Sequence, residues 1–200
     1  MFADDTLLFP MERLITPRLI LRRMDMDDAR DIYEYGRDRE VARHVLWDAY
    51  TSVSEARAYI RCMQRKYRLG DPASWCIELR ETGRVIGTIG YMWYQQDHAS
   101  AEVGYSLARN QWNKGIMTEA LSRVLQYSFE DMQMHRIEAQ HEVENPASGA
   151  VMRKCGMQHE GRLRGRIMNK GRYMDVDLYA ILREDYLLMK KKRTLQHETL

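Results

Sequence analysis

The stretch "RNQWNKGIMTEAL", Arg109 to Leu121, decides how the chain is read. A glycine beside a lysine is followed at once by an amphipathic segment. Met117, Ala120, Leu121, Val124, Leu125 and Ser128 recur at the i, i+3, i+4, i+7 spacing of one helical face. The first four N–H groups of such a helix have no intrahelical partner, and its dipole places roughly half a positive charge at that end. A phosphate suits that place. Gly115 removes the side chain that would block approach, Lys114 adds a cation, and Trp112 packs or shields. From these residues alone, a plain strand-to-helix turn explains the stretch as well as a phosphate site does.

The flanks turn this helix into a crossover. Ala101 to Ala108 reads as a strand before it and Arg136 to His141 as a strand after it, which favours parallel placement of the two. Upstream, Trp75 to Leu79 and Val85 to Tyr94 are strand-like, with "RETGR" and "QQDHAS" as turns, so they form an antiparallel meander with Ala101 to Ala108. Leu19 to Met24 reads as an earlier strand. Asp25, Asp27 and Asp28 then favour a helix toward Tyr35. Ser52 and Glu55 have capping-box spacing for a helix over Val53 to Leu69, which Gly70 ends and Pro72 stops. Beyond the crossover come a helix from Pro146 to Lys154 that ends at Gly156, strands at Gln158 to Met168 and Tyr173 to Leu182 joined by "NKGR", and a last helix from Arg183 to Lys192. The fold class is α/β (α+β): a mixed, mostly antiparallel sheet of six to seven strands flanked by helices.

The bulk properties narrow the function. The 200 residues suggest a single domain over 1–200, with a core over about 14–185 and a basic tail over 186–200. A hydrophobic content of 44% supports an ordinary core, and a net charge of +2 gives no general reason to expect nucleic acid or a membrane as partner. No apolar run nears the ~18 residues of a membrane helix. Cys62, Cys76 and Cys155 are odd in number and scattered, which argues for a reducing compartment. "MFADDTLLFP" carries acids where a signal peptide carries bases, so a cytoplasmic protein is expected. The histidines show no metal spacing, and no metal is expected.

A phosphate ligand at Gly115 is not a P-loop nucleotide, since no G-x-x-x-x-G-K-[ST] occurs, and no G-x-G-x-x-G supports a dinucleotide. Five segments in order carry a more specific resemblance: "TPRLILRRM" (Thr16 to Met24), "SWCIELRETGRVIGTIGY" (Ser74 to Tyr91), "AEVGYSLARNQWNKGIMTEAL" (Ala101 to Leu121), "NPASGAVMRKCGM" (Asn145 to Met157) and "GRYMDVDLYAILRED" (Gly171 to Asp185). Together they resemble the GNAT superfamily of acyl-CoA-dependent N-acetyltransferases, above all its Rim-type branch, which includes ribosomal-protein N-terminal acetyltransferases. The resemblance implies one domain with splayed central strands and acetyl-CoA as cosubstrate. It places the diphosphate of coenzyme A on the backbone of Asn113, Lys114, Gly115, Ile116, Met117 and Thr118. The superfamily pattern Q/R-x-x-G-x-G/A is met in full only at Gly115: Asn110 stands at its first position and Asn113 at its first glycine. Asparagine tolerates the left-handed backbone better than most residues.

Amide formation needs a neutral amine. A free α-amino group with a pKa near ~7.8 is about one seventh neutral at pH 7, and a lysine near ~10.4 only to roughly 0.04%, a gap of about 3.5 kcal/mol. Glu102, on the strand leading to the turn, is the candidate general base, acting through one water, and the resemblance supports a carboxylate there. A surface glutamate or an arginine partner would explain it equally simply. The resemblance also implies that the N–H near Leu107 holds the thioester carbonyl. The tyrosine that many members use as acid is replaced here by Met152, and Ser148 is the substitute, or else a helix-cap contact. Asn145 reaches the pantetheine amides, caps the helix, or does both. Cys155 reads as a buried spectator rather than a nucleophile.

Arg162, Arg164 and Arg166 alternate and so share a strand face, which is either solvated or, through Arg164, positions an acidic or ribosome-associated acceptor. Tyr91, Trp93 and Tyr94 are core or rim residues that could line the acceptor groove. The acceptor is a primary amine, a protein N-terminus or a small molecule. The competing reading is a non-catalytic CoA-sensing or RNA-associated module on the same fold. A homodimer stays open.

Overall fold

The computed structural model describes residues 9–198. The remainder, including most of the stretch read as lacking a signal peptide, lies outside the described residues. Eight strands form one sheet: β1 (Leu14–Ile15), β2 (Leu19–Arg22), β3 (Ser74–Leu79), β4 (Arg84–Gln95), β5 (Ser100–Leu107), β6 (Arg136–Glu142), β7 (Gln158–Asn169) and β8 (Arg172–Leu182). Their order is β1-β2-β3-β4-β5-β6-β8-β7, and every pairing is antiparallel except β5 with β6. The count exceeds the expected six to seven. The helices are α1 (Ala29–Gly36), α2 (Arg39–Ala42), α3 (Val53–Leu69), α4 (Ile116–Gln126), α5 (Pro146–Lys154) and α6 (Arg183–Glu198). None of the described helices is long and apolar enough to cross a membrane.

The crossover is as expected. β5 and β6 pair only over Ser100–Arg136, Ala101–Ile137 and Glu102–Glu138, after which they part. β5 stays on β4 as far as the Gly87–Leu107 pair. Ala108 N–H donates to the Ile86 carbonyl at 2.7 Å. Successive amides of a strand face opposite sides, so Leu107 N–H faces the gap left by β6.

Strand alternation assigns the two faces. Tyr91 bonds Ser128 beyond α4 and Tyr105 bonds Ser148 of α5, so the odd residues of β5, and those of β4 as far as Tyr91, face α4 and α5; the register shift after Tyr91 turns Trp93 to the Glu102 side. Thr88 and Ser106 meet on the other face, against Tyr35 of α1. On β6, Glu138, Gln140 and Glu142 share that second face with Glu102 of β5.

Two local expectations fail for physical reasons, and a third, the aspartate-capped helix toward Tyr35, holds with a different first turn. Ser52 makes no side-chain cap, because Glu55 instead accepts from Thr51 N (2.7 Å) and Thr51 Oγ1 (2.9 Å). The segment after Asp25 begins as a 3-10 turn with its own capping box, and α1 starts only at Ala29. The arginine alternation breaks because β7 shifts register between Leu163 and Ile167, where Gly165 has φ 56°.

Candidate active site

α4 begins at Gly115, whose φ of 72° is the left-handed conformation that glycine adopts without strain. Asn113 adopts the same region at φ 60°, so the position that departs from the family pattern still takes the required backbone. The loop is pinned at both ends. Trp112 Nε1 donates to the Leu107 carbonyl at 2.8 Å, tying the turn to the end of β5. Arg18 donates from Nη1 to the Lys114 carbonyl (2.9 Å) and from Nε to Glu119 Oε2 (2.6 Å). Thr16 Oγ1 donates to Glu119 Oε1 at 2.6 Å. Burial opposes the charge on Glu119, but hydrogen bonds from Thr16 and Arg18 outweigh it and hold the carboxyl below the usual range. This brace is therefore complete at neutral pH and is lost only as pH falls through that lowered pKa. Thr16 and Arg18 belong to the quoted "TPRLILRRM" segment, yet their work on the loop depends on a partner 103 and 101 residues away.

A cleft of about 390 Å³ opens at this helix start. It brings together Leu107, Asn113, Gly115, Ile116, Met117, Thr118, Asn145 and Ser148 of the expected site. Tyr105, Ser106 and Leu107 all line it although neighbouring strand residues point to opposite faces. The cleft therefore runs along the free edge of β5, through the splay. Its far wall is α2 and the loop after it, with Glu40, Val41, His44 and Val45. A larger hollow of about 840 Å³ lies beside α1, lined by Asp31, Glu34 and Asp38 together with Arg84 and Arg109, and the first turn of α4 is not among its walls.

Asn145 caps α5, its Oδ1 accepting from Ser148 N at 3.4 Å, while also lining the cleft. Ser148 Oγ donates to the Tyr105 hydroxyl at 2.9 Å, and that hydroxyl donates to the Ser148 carbonyl at 3.1 Å. Burial pushes the Tyr105 phenol well above its ordinary range, so it stays protonated. Sequence reading looked for a tyrosine at Met152, which is buried core, and missed Tyr105 on the facing strand.

The remaining expectations fall elsewhere. Glu102 does not line the cleft: its Oε2 accepts from Trp93 Nε1 (2.7 Å) and its Oε1 from Gln140 Nε2 (3.0 Å), on the α1 face of the sheet. Lys114 also lies off the cleft wall, its Nζ 3.5 Å from Gln111 Oε1. Tyr91 is fully buried with its hydroxyl on Ser128, a correction to its place in an acceptor groove, because β4 runs through the sheet's covered centre. Arg164 is exposed on the irregular part of β7, away from the cleft. Cys155 is buried against the Thr118 carbonyl and Ser122, at 3.5 Å from each.

Comparison with known proteins agrees with this geometry. The model of the acetyltransferase (GNAT) domain matches residues 18–158. An N-acetyltransferase called p20 from Bacillus licheniformis, itself uncharacterized, is 37% identical over 88% of this chain and 99% of its own length. The [ribosomal protein uS5]-alanine N-acetyltransferase of Escherichia coli is 24% identical over 88% of this chain and 94% of its own. The crystal structure of spermidine N-acetyltransferase from Vibrio cholerae, in complex with CoA and spermine, superposes with a TM-score of 0.73 at 26% identity, over 86% of this chain and 99% of that one. With a matching domain over most of its length, and with β5 and β6 splayed beside a glycine-led helix, the chain belongs to the GNAT family of acetyltransferases.

Proposed function

We propose that this chain transfers acetyl from acetyl-CoA to a primary amine by direct attack in a ternary complex. One observation carries the reading: a single cleft runs from the open amides of α4 along the free edge of β5, with Leu107, Ser148 and His44 on its walls. The diphosphate rests on the amides of Gly115 to Thr118, with Asn113 and Lys114 shaping the turn. Asn145 meets the pantetheine arm. The Leu107 amide holds the thioester oxygen as charge develops on it, a donor of a kind whose loss typically costs ~2.7–4 kcal/mol. The amine lone pair attacks the carbonyl carbon, the C–N bond forms and the C–S bond breaks. Ser148 Oγ, turning its hydrogen away from the Tyr105 hydroxyl, supplies a hydrogen bond to the departing sulfur.

The acceptor side favours a cationic amine. Glu138 is paired with Arg136 (2.7 Å), and Glu142 meets His44. Among the described residues the hydrogen-bond partners of Glu102 are the neutral Trp93 and Gln140, so its charge is left to attract an incoming ammonium group. This suits polyamines and protein N-termini alike; the names of the two relatives above give spermidine and an alanine of ribosomal protein uS5. The reading carries with it the cytoplasmic placement expected from the sequence. The motives for a non-catalytic module weaken: Asn113 makes the turn, Tyr105 stands beside Ser148, and the arginine face is broken.

Incubation with acetyl-CoA and a panel of N-terminal peptides, polyamines and aminoglycosides, followed by thiol release and by mass spectrometry of the amines, tests this. Turnover of at least one cationic amine is expected. Acetyl-CoA binding without turnover of any of them would contradict the reading and favour the non-catalytic module.

A further inference from the structure

We propose that His44, oriented by the buried carboxylate of Glu142, takes the proton from the attacking amine; this rests on the acetyltransferase reading above. His44 follows α2 and lines the cleft with Tyr105, Leu107 and Ser148. Its Nδ1 lies 2.7 Å from Glu142 Oε2. The Glu142 side chain is only 2% exposed, while that of His44 keeps 19%. An ionised carboxylate only accepts hydrogen bonds, so Nδ1 carries the hydrogen and Nε2 carries the lone pair. A carboxylate behind an imidazole fixes its tautomer and stabilises the imidazolium that proton uptake creates.

The surroundings hold this pair in place from two directions. Asn169 Nδ2 donates to the other oxygen of Glu142. Lys170, the next residue at the tip of the β7–β8 hairpin, donates from Nζ to the carbonyls of Ala42 (3.0 Å) and Val45 (2.7 Å), on either side of His44. The hairpin thus clamps the short segment that carries the imidazole. Glu142 and Gln140 share one face of β6, and Gln140 reaches Glu102. An ammonium drawn to Glu102 therefore arrives on the same face as His44, at the mouth of the splay.

The step balances. The ammonium first gives one proton to water; as the resulting neutral nitrogen bonds to the thioester carbon, its second N–H proton passes to His44 Nε2. The thiolate leaves and is protonated through Ser148 or water, and the imidazolium returns its proton to solvent. Glu102 contributes charge for binding, and Glu142 and Asn169 are positioning residues.

The test uses the full chain and an amine it acetylates. His44→Ala is expected to lower kcat about 10²–10³-fold, within the range typical of a positioned proton acceptor. Its thermal stabilisation by acetyl-CoA should match wild type. Added imidazoles should restore turnover to His44→Ala, and better as their basicity rises, an order that simple filling of a hole does not produce. Glu142→Gln should lower kcat at least tenfold, and Glu102→Gln should mainly raise the KM for the amine. A His44→Ala chain that folds, binds acetyl-CoA and keeps kcat within threefold of wild type would overturn the inference, as would rescue that ignores basicity. A wild-type chain that acetylates no amine would instead strike the acetyltransferase reading itself.

Discussion

Gly115→Val is expected to weaken acetyl-CoA binding about 30-fold or more, equivalent to about 2 kcal/mol. Gly115 sits at φ 72°, and a β-branched residue is an outlier there. Holding one costs roughly 1–3 kcal/mol, which the chain relieves by moving the turn. The turn carries the amides that meet the diphosphate, so relief of strain and loss of the site are one event. Crowding within the apo protein is not the cause, since the nearest atom to an added Cβ is Arg18 Nη2 at 3.6 Å. Asn113→Gly, at the neighbouring left-handed position with φ 60°, should leave affinity unchanged or improve it. Isothermal titration of the two variants with acetyl-CoA checks the pair. Equal affinities for Gly115→Val and wild type would mean that the ligand does not use this turn.

Gly90→Ala is expected to destabilise the fold by about 3 kcal/mol or more, the upper end of what overpacking costs. An added Cβ would lie 2.2 Å from the Cα of Ser74 and 2.3 Å from the carbonyl oxygen of Ala73. Both are backbone atoms of the neighbouring strand region, and neither can swing aside as a flexible side chain would. β3 and β4 would have to part at the Ser74–Gly90 pair, in the middle of the sheet. For a chain of this length, the loss corresponds to a fall in Tm of about 10 °C. Thermal unfolding measures it, and a loss below about 1 kcal/mol would show that the sheet gives more easily than its packing implies.

The parts of this molecule that could be read in the sequence are those set by local periodicity. The 3.6-residue stripe from Met117 onward, the turn at Gly115 and the flanking strands together specify a crossover, and β5 and β6 are indeed the parallel pair. Asn145 and Pro146 likewise mark the start of α5. Where competing local contacts decide, the reading slips. Thr51 takes the Glu55 carboxylate that the spacing offered to Ser52. α2 is only four residues long, too short to show a period. Tyr91 looks like any strand aromatic until the sheet covers it on both faces. The site proved least legible where it depends on contacts between distant segments. His44 and Glu142 are 98 residues apart, and no spacing rule joins them. Arg18 and Glu119 meet only because the turn between β1 and β2 lies against the start of α4.

The central claim is that acetyl-CoA occupies the opening between β5 and β6, with its diphosphate on the first turn of α4. A crystal structure of the chain with coenzyme A measures this most directly. The account predicts diphosphate oxygens within about 3.2 Å of the amide nitrogens between Gly115 and Thr118, with the thiol end beside Leu107 and Ser148. Coenzyme A bound in the hollow beside α1, or a diphosphate that makes no contact with these amides, would contradict it.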